Sequence, residues 1–330
     1  TIIGASEDQI LFHCQFGDFK DAFKLFSQFY LNNSSSSMNN SVNNGTAMSV
    51  NAFRLSVFMR VLITPAIAFK QWNFFCRRLV RYLSTYEKVI DEFINFLGQN
   101  KMYFILFDIH RRFEYNDNAL LAAIKMFEKT DSWKKQQELL STMNGLIQKS
   151  LKLNTPEDKK KHKSFFTVDS LFQLQRRTNV QLAIISMFIN TNVPFDKNLE
   201  LMTSKENTIN LASFLLLRFK IGYFSEICEL PDISMDEICD NAIEILNSSS
   251  KREEGSISGF FKKLTMLEPG TYRKLIMCLS KSIYRRVPDE KSFVEFVTRN
   301  IKGDDLMAAV LQSFGFESEA DEILKRKPHK

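Results

Sequence analysis

Glycine and proline are scarce in this chain, which has 11 glycines and 7 prolines among its 330 residues. An average protein contains about 7% Gly and 5% Pro. Both residues interrupt helices, so their scarcity favours a largely helical protein. Most of the prolines fall between apolar-periodic segments, where helices are expected to end. These are Pro156, Pro194, Pro231, Pro269 and Pro288.

Cysteine motifs and long apolar runs are also missing. The 5 cysteines (Cys14, Cys76, Cys228, Cys239 and Cys278) are odd in number and form no CxxC pair. The sequence therefore predicts neither a zinc finger nor a redox motif. It predicts free thiols in a reducing cytosol. Because no run of about 18 apolar residues and no signal peptide occurs, we expect a soluble intracellular protein or the cytosolic part of something larger. The start at Thr1 rather than Met is what a fragment of a longer protein would show.

Motifs that carry catalysis are absent as well. The sequence contains no GxSxG, P-loop, GxGxxG or HExxH, and only 4 histidines. His110 is flanked by Asp108, but on a helix a residue two positions away faces another side and cannot orient an imidazole. Acidic clusters such as Asp304-Asp305 sit at predicted helix starts and lack metal-loop spacing. The sequence therefore predicts no catalytic, cofactor or metal site, and a protein that is not an enzyme.

Helical hairpins are what the sequence does predict. Hydrophobic residues make up 44% of the chain, Phe occurs 31 times, and apolar positions recur with helical period. Three joints place a glycine before an aromatic residue at a predicted helix junction: Gly17-Asp18-Phe19, Gly222-Tyr223 and Gly315-Phe316. A left-handed glycine ends one helix and the aromatic anchors the next. With no fixed 34-residue period, the predicted fold is all-α, an irregular α-solenoid of stacked helical hairpins.

Five regions follow along the chain. Residues 1–31 are predicted to form an N-terminal helical hairpin, and 32–49 a disordered low-complexity loop rich in Asn and Ser. A helical array is predicted over 50–155. A basic loop over 156–166 separates it from a second helical array that continues over 167–330.

Positive charge is concentrated near that basic loop. The net charge is +6, and residues 158–163 read Asp-Lys-Lys-Lys-His-Lys. A solvated loop is one interpretation, and a surface for acidic lipid or an acidic partner is the other. Nucleic acid is not expected, because interleaved Glu and Asp would interrupt a phosphate-tracking stripe. The candidate interaction surface consists of Lys159, Lys160, Lys161, Lys163, Arg176 and Arg177.

Several apolar helix patterns carry a resemblance. They include Lys159-Lys160-Lys161 with Phe165-Phe166, Phe172-Gln173-Leu174-Gln175, and Ala122-Ala123-Ile124-Lys125-Met126-Phe127. With Val57-Phe58, Val61 and Pro65 upstream and Ile301, Asp304-Asp305 and Ala308-Ala309 downstream, the chain resembles, over roughly 55–325, the C-terminal helical region of the spastizin family of FYVE-zinc-finger proteins linked to hereditary spastic paraplegia. The FYVE module itself, with its cysteine pairs, is absent from these residues, so zinc and phosphoinositide binding are not carried over.

The resemblance implies a non-catalytic scaffold or adaptor in endosome–lysosome trafficking, lysosome reformation and autophagy. Its implied partners are a spatacsin-like protein and the fifth adaptor-protein complex, on the cytosolic face of late endosomes or lysosomes. The residues themselves leave two functions open: a scaffold that holds a partner's helix or peptide between hairpins, and a peripheral membrane module that places the basic loop on acidic lipid. A helical enzyme domain is the third alternative.

Overall fold

Every element of the described chain is a helix. The structure is a computed structural model that describes residues 2–16, 18–26, 28, 59–68, 70–83, 87–153, 166–248 and 257–325. The predicted low-complexity loop at 32–49 lies outside these residues. The described chain divides into two compact units, one of residues 1–129 with 145–171, the other of residues 130–144 with 172–330.

The first unit is built from seven helices and the end of an eighth. Its elements are α1 (Ile2–Gln15), α2 (Phe19–Phe26), a π-helical turn (Met59–Ile63), α3 (Thr64–Ala68), α4 (Trp72–Leu83), α5 (Glu87–Gln99), α6 (Tyr103–Arg112) and α7 (Asn116–Phe127), with the second half of α8 (Trp133–Leu153). Its core is mainly apolar, and several polar contacts join its elements. The Trp72 indole N–H donates to Asp108 Oδ2 at 2.6 Å between α4 and α6, and the Cys14 thiol donates to the carbonyl of Val61 at 3.5 Å.

The second unit holds the first half of α8, most of α9 and all the later helices. These are α9 (Val168–Asn190), α10 (Lys205–Leu217), α11 (Ile221–Cys228), α12 (Met235–Ser248), α13 (Ile257–Leu264), α14 (Pro269–Tyr284), α15 (Glu290–Asn300), α16 (Asp304–Ser313) and α17 (Glu317–Lys325). Helices α8 and α9 run antiparallel, since the Gln137 amide donates to Ser186 Oγ at 3.0 Å and Asn144 to Asn179 Oδ1 at 2.7 Å.

Alternate helices of the second unit pack side by side. Ion pairs join Lys205 of α10 to Glu237 of α12 at 2.7 Å and join α14 to α12 through Lys281–Asp236 at 3.3 Å and Arg285–Asp240 at 2.6 Å. Residue numbers rise together across the α12–α14 pairs, so these two helices run parallel. A shorter helix lies in sequence between each such pair, the order of stacked hairpins. The predicted fold class, an all-α irregular α-solenoid of helical hairpins, is confirmed.

Several helix ends share one hydrogen-bond pattern. After Gly315, whose φ is +85°, the N–H of Phe316 donates to the carbonyl of Leu311 at 3.0 Å. Such an i→i−5 bond closing over a left-handed residue is the Schellman motif. The same bond follows five left-handed residues that are not glycine. They are Lys70, Lys101, Glu114, Asn192 and Phe219.

The three predicted glycine joints therefore compare differently with the structure. The joint at Gly315 is confirmed, and Gly17 lies outside the described residues, although Asp18 N–H makes the i→i−5 bond to the His13 carbonyl at 2.9 Å. The joint at Gly222 was wrong. Gly222 lies inside the first turn of α11, and the left-handed residue is Phe219, with φ of 56°. The Phe219 ring packs on the ring of Phe260 in α13, with centroids 5.6 Å apart.

Lys101 offers a test of this joint. Its φ is 55°, and its side chain is exposed. A left-handed conformation costs about 1–2 kcal/mol for a residue with a Cβ, part of which Gly recovers. We expect Lys101→Gly to raise the free energy of unfolding by about 0.5–1 kcal/mol in urea titrations.

The matched control is Lys149→Gly, at an exposed position inside α8. There the same substitution should lower the free energy of unfolding by about 1 kcal/mol, because a helix interior gains nothing from a freer φ. Equal losses for the two variants would contradict the left-handed assignment of Lys101.

Candidate functional site

The candidate interaction surface is only partly described. Lys159, Lys160, Lys161 and Lys163 lie outside the described residues, which stop at Leu153, the last residue of α8, and resume at Phe166. Arg176 and Arg177 are described and lie on α9. The structure therefore describes only the two arginines of the predicted surface.

Both arginines are engaged by acidic residues near the end of α11. The Arg176 guanidinium forms an ion pair with the Glu229 carboxylate and donates to the Glu229 backbone carbonyl at 3.4 Å. The Arg177 guanidinium forms an ion pair with Asp232 and donates to the Leu201 carbonyl at 3.5 Å. These contacts hold the segment after α11 against α9. They also neutralise the two charges locally, so this part of the surface is mixed in sign rather than basic.

A second arginine pair behaves in the same way. Arg285 and Arg286 both contact Asp240 of α12, at 2.6 and 3.0 Å, and Arg286 also donates to the Ser282 hydroxyl at 2.6 Å. Each of these two arginine pairs thus joins neighbouring parts of the second unit. Each exposed pair contributes little to stability, about 0–1 kcal/mol, so their main effect is on geometry.

An aromatic side chain stands in solvent beside these ion pairs. Phe172 is 55% exposed on α9, one helical turn before Arg176 and therefore on the same face. Gln173 next to it is also exposed. We define the α9 surface as Phe172, Gln173, Arg176, Arg177, Glu229 and Asp232. Aromatic residues and arginine are both enriched at protein-binding surfaces.

A buried polar network lies elsewhere in the second unit. Glu200 is fully buried and accepts a hydrogen bond from the Gln136 amide of α8. The adjacent Leu201 N–H donates to Gln181 Oε1 of α9 at 2.6 Å. Burial raises the pKa of Glu200 to about 7. With no exposed surface, this carboxyl cannot reach a substrate, and its evident role is to hold the 199–201 segment between α8 and α9.

His110 is buried, with 5% of its surface exposed. Burial lowers the pKa of His110 to about 4, so the imidazole is neutral near pH 7. Asp108 binds the Trp72 indole and lies 3.6 Å from the Arg111 guanidinium. Within the described residues the His110 Nδ1 atom has no hydrogen-bond partner. The expectation that Asp108 does not orient His110 is confirmed.

Among the residues that the structure describes, one cluster of potential metal ligands lies at the α1–α2 joint. His13, Asp18 and Asp21 place one ligand atom each within 4.8 Å of one another. Asp18 already has structural roles here: it accepts from the Asp21 N–H at 3.3 Å, and it lies 3.5 Å from His13 Nδ1. The hydrogen bond to the Asp21 backbone is the main reason that the pKa of Asp18 is lowered. Helix capping accounts for this cluster without an ion.

Two further observations concern the whole described chain. None of its helices combines the length and the apolar character needed to cross a lipid bilayer. No protein-family model, no curated protein sequence and no solved structure matches the chain.

Proposed function

We propose that this chain is a non-catalytic α-solenoid scaffold that binds other proteins, with the α9 surface as a contact site. The observation that carries the proposal is the solvent-exposed ring of Phe172 beside the Arg176–Glu229 ion pair on an array of stacked hairpins. Fixed guanidinium and carboxylate groups give such a site hydrogen-bonding direction at little further entropic cost. Stacked hairpins present extended surfaces of this kind to a partner's helix or peptide.

The non-catalytic part of the proposal is supported by where the perturbed acid and base groups lie. Glu200 is completely buried and His110 nearly so. A general acid or base must come within hydrogen-bond reach of a substrate proton, which neither group can do in this structure. Their shifted pKa values reflect burial in a helical core.

The resemblance to the spastizin C-terminal region supplies the cellular part of the proposal. On that basis the partners are a spatacsin-like protein and the fifth adaptor-protein complex. The place of action is the cytosolic face of late endosomes or lysosomes, in lysosome reformation and autophagy. The support is the order of the apolar motifs over roughly 55–325.

Affinity purification of the tagged chain from cytosol, with mass spectrometry of the retained proteins, tests this proposal. We expect spatacsin-like or adaptor-complex subunits to be retained, and Phe172→Ala to reduce their recovery about 10-fold or more, as loss of a hot-spot aromatic does. Ile189→Ala is the matched control, because Ile189 is a 37% exposed apolar residue near the other end of α9.

The outcomes separate the parts of the proposal. Equal losses for the two variants would argue against a specific contact at Phe172. Retention of a different assembly, still dependent on Phe172, would keep the scaffold function and discard the spastizin resemblance. Retention of no protein by the wild-type chain would remove the scaffold proposal and favour the membrane alternative.

The second candidate is a peripheral membrane module that uses the basic loop. Four lysines within residues 159–163 favour it, because each contributes about 1 kcal/mol near an acidic lipid surface. The assay is sedimentation with vesicles of phosphatidylcholine and 30% phosphatidylserine as a function of salt. Salt-sensitive binding that is lost after Lys→Glu at all four positions would support this function, and unchanged binding in that variant would remove the loop from it.

A further inference from the structure

Three of the five cysteines, distant in sequence, come together in the second unit. Cys239 lies on α12, Cys278 on α14, and Cys228 at the end of α11. Cys239 is one turn after Asp236, and Cys278 is one turn before Lys281, so each cysteine shares a helix face with its charged neighbour. Because Asp236 and Lys281 form an ion pair at 3.3 Å, those two faces meet. The thiols of Cys239 and Cys278 interact directly there.

The two thiols differ in environment. Cys239 is fully buried, whereas Cys278 is partly exposed to solvent. Hydrogen bonding with the Cys239 thiol is the main reason that the pKa of Cys278 is lowered, with a smaller contribution from the Lys281 ammonium; burial and Asp236 oppose them. The same interaction, together with burial, raises the pKa of Cys239. The pair thus consists of one partly exposed sulfur whose pKa is lowered and one buried sulfur whose pKa is raised.

The remaining cysteines lack this arrangement. Cys14 and Cys76 are completely buried in the first unit, and burial raises the pKa of their thiols to about 12 and about 11. Cys228 is partly exposed, but burial raises the pKa of its thiol to about 12. Reactivity of cysteine follows thiolate character and access, so these three thiols are internal references for Cys278.

We propose that Cys278 is an oxidative modification site, with Cys239 as its resolving cysteine. A hydroperoxide is the oxidant. The Cys278 thiolate attacks one peroxide oxygen and forms a sulfenic acid, while hydrogen peroxide itself is reduced and releases hydroxide. The Cys239 sulfur then attacks the Cys278 sulfur and a disulfide forms, while the proton of the Cys239 thiol and the hydroxyl group of the sulfenic acid leave together as water. The product is a covalent link between α12 and α14, two helices that run parallel in the array.

The experiment treats the whole chain with hydrogen peroxide at neutral pH, followed by alkylation in denaturant and peptide mass spectrometry without reductant. We expect a Cys239–Cys278 disulfide that dithiothreitol reverses, and consumption of the Cys278 thiol about 10-fold faster than that of Cys76. In Cys239→Ser, which removes the resolving thiol, a dimedone adduct should accumulate at Cys278. Native gel filtration and circular dichroism confirm that this variant is folded.

Several results would overturn the proposal. One is a Cys278 thiol that is consumed no faster than the buried Cys76 in the wild-type chain, a readout that needs no variant. Another is a disulfide from Cys278 to Cys228 in place of Cys239. A third is the absence of a dimedone adduct in folded Cys239→Ser at peroxide doses that oxidise the wild-type pair.

Discussion

Replacing Phe293 with Ala is expected to lower the free energy of unfolding of the C-terminal helices by about 3–5 kcal/mol, the cost of emptying a fully packed aromatic site. Phe293 of α15 is completely buried. Its ring centroid lies 4.9 Å from that of Tyr284, 4.9 Å from that of Phe314 and 5.9 Å from that of Phe316. Tyr284 is the last residue of α14, Phe314 directly follows α16, and Phe316 directly precedes α17. The Phe293 side chain therefore joins four consecutive helices.

The position of Phe293 in a hairpin array also predicts which amides respond. Each hairpin contacts mainly its neighbours, so loss of one packing site loosens adjacent helices before distant ones. Hydrogen exchange should therefore accelerate in α14–α17 and change little in α8–α10. Phe172→Ala is the control, because a 55% exposed ring should cost about 1 kcal/mol or less. Uniformly faster exchange throughout the second unit would show that the unit unfolds as one cooperative block.

Stability of the second unit is expected to fall as pH rises, because of Glu200. Burial raises its pKa to about 7 from an ordinary value of 4.5, and the Gln136 hydrogen bond and the Lys197 charge offset only part of that. The folded state therefore keeps a proton that the unfolded chain has released. Between about pH 4.5 and 7 each pH unit removes up to about 1.4 kcal/mol, so the full effect is on the order of 3 kcal/mol.

The Glu200→Gln variant isolates this effect. Glutamine keeps the shape and can still accept from Gln136. Urea unfolding at pH 5, 6, 7 and 8 should show Glu200→Gln more stable than wild type at pH 8 and about equal to it at pH 5. The control Glu244→Gln replaces an exposed carboxylate on α12 and should follow the wild-type pH profile. A Glu200→Gln profile that parallels wild type would mean that Glu200 ionises normally in the folded chain.

The helical class could be predicted from the sequence, but the conformation at the helix ends was predicted less well. The scarcity of glycine and proline and the regular apolar spacing predicted an all-α array. The apolar residues on the buried face of a helix recur with a period of 3.6 residues, which is visible in the sequence. The joint at Gly315 followed from the permissive φ of glycine. Lys101, Glu114 and Phe219 occupy the same left-handed conformation without any local signal. There, packing of the next helix outweighs a local cost of about 1–2 kcal/mol.

The sign of the charge on a surface could not be predicted from the sequence and depended on the tertiary structure. Arg176-Arg177 and Arg285-Arg286 suggest positive charge when read alone. In the structure their partners Glu229, Asp232 and Asp240 come from positions 45–55 residues away in the chain. A sequence pattern reports charges on its own helix, whereas the field at a surface depends on every helix that meets there.

The sequence by itself determined the helical class, the apolar faces and the absence of familiar catalytic motifs, because these depend on residues within one or two helical turns of each other. Tertiary structure alone decided which distant polar groups share a site. It placed Glu200 between α8 and α9, set Phe172 in solvent beside an ion pair, and brought Cys239 and Cys278 together. The physical reason is that burial, pKa and reactivity arise from contacts between helices, which hairpin stacking creates and local sequence does not encode.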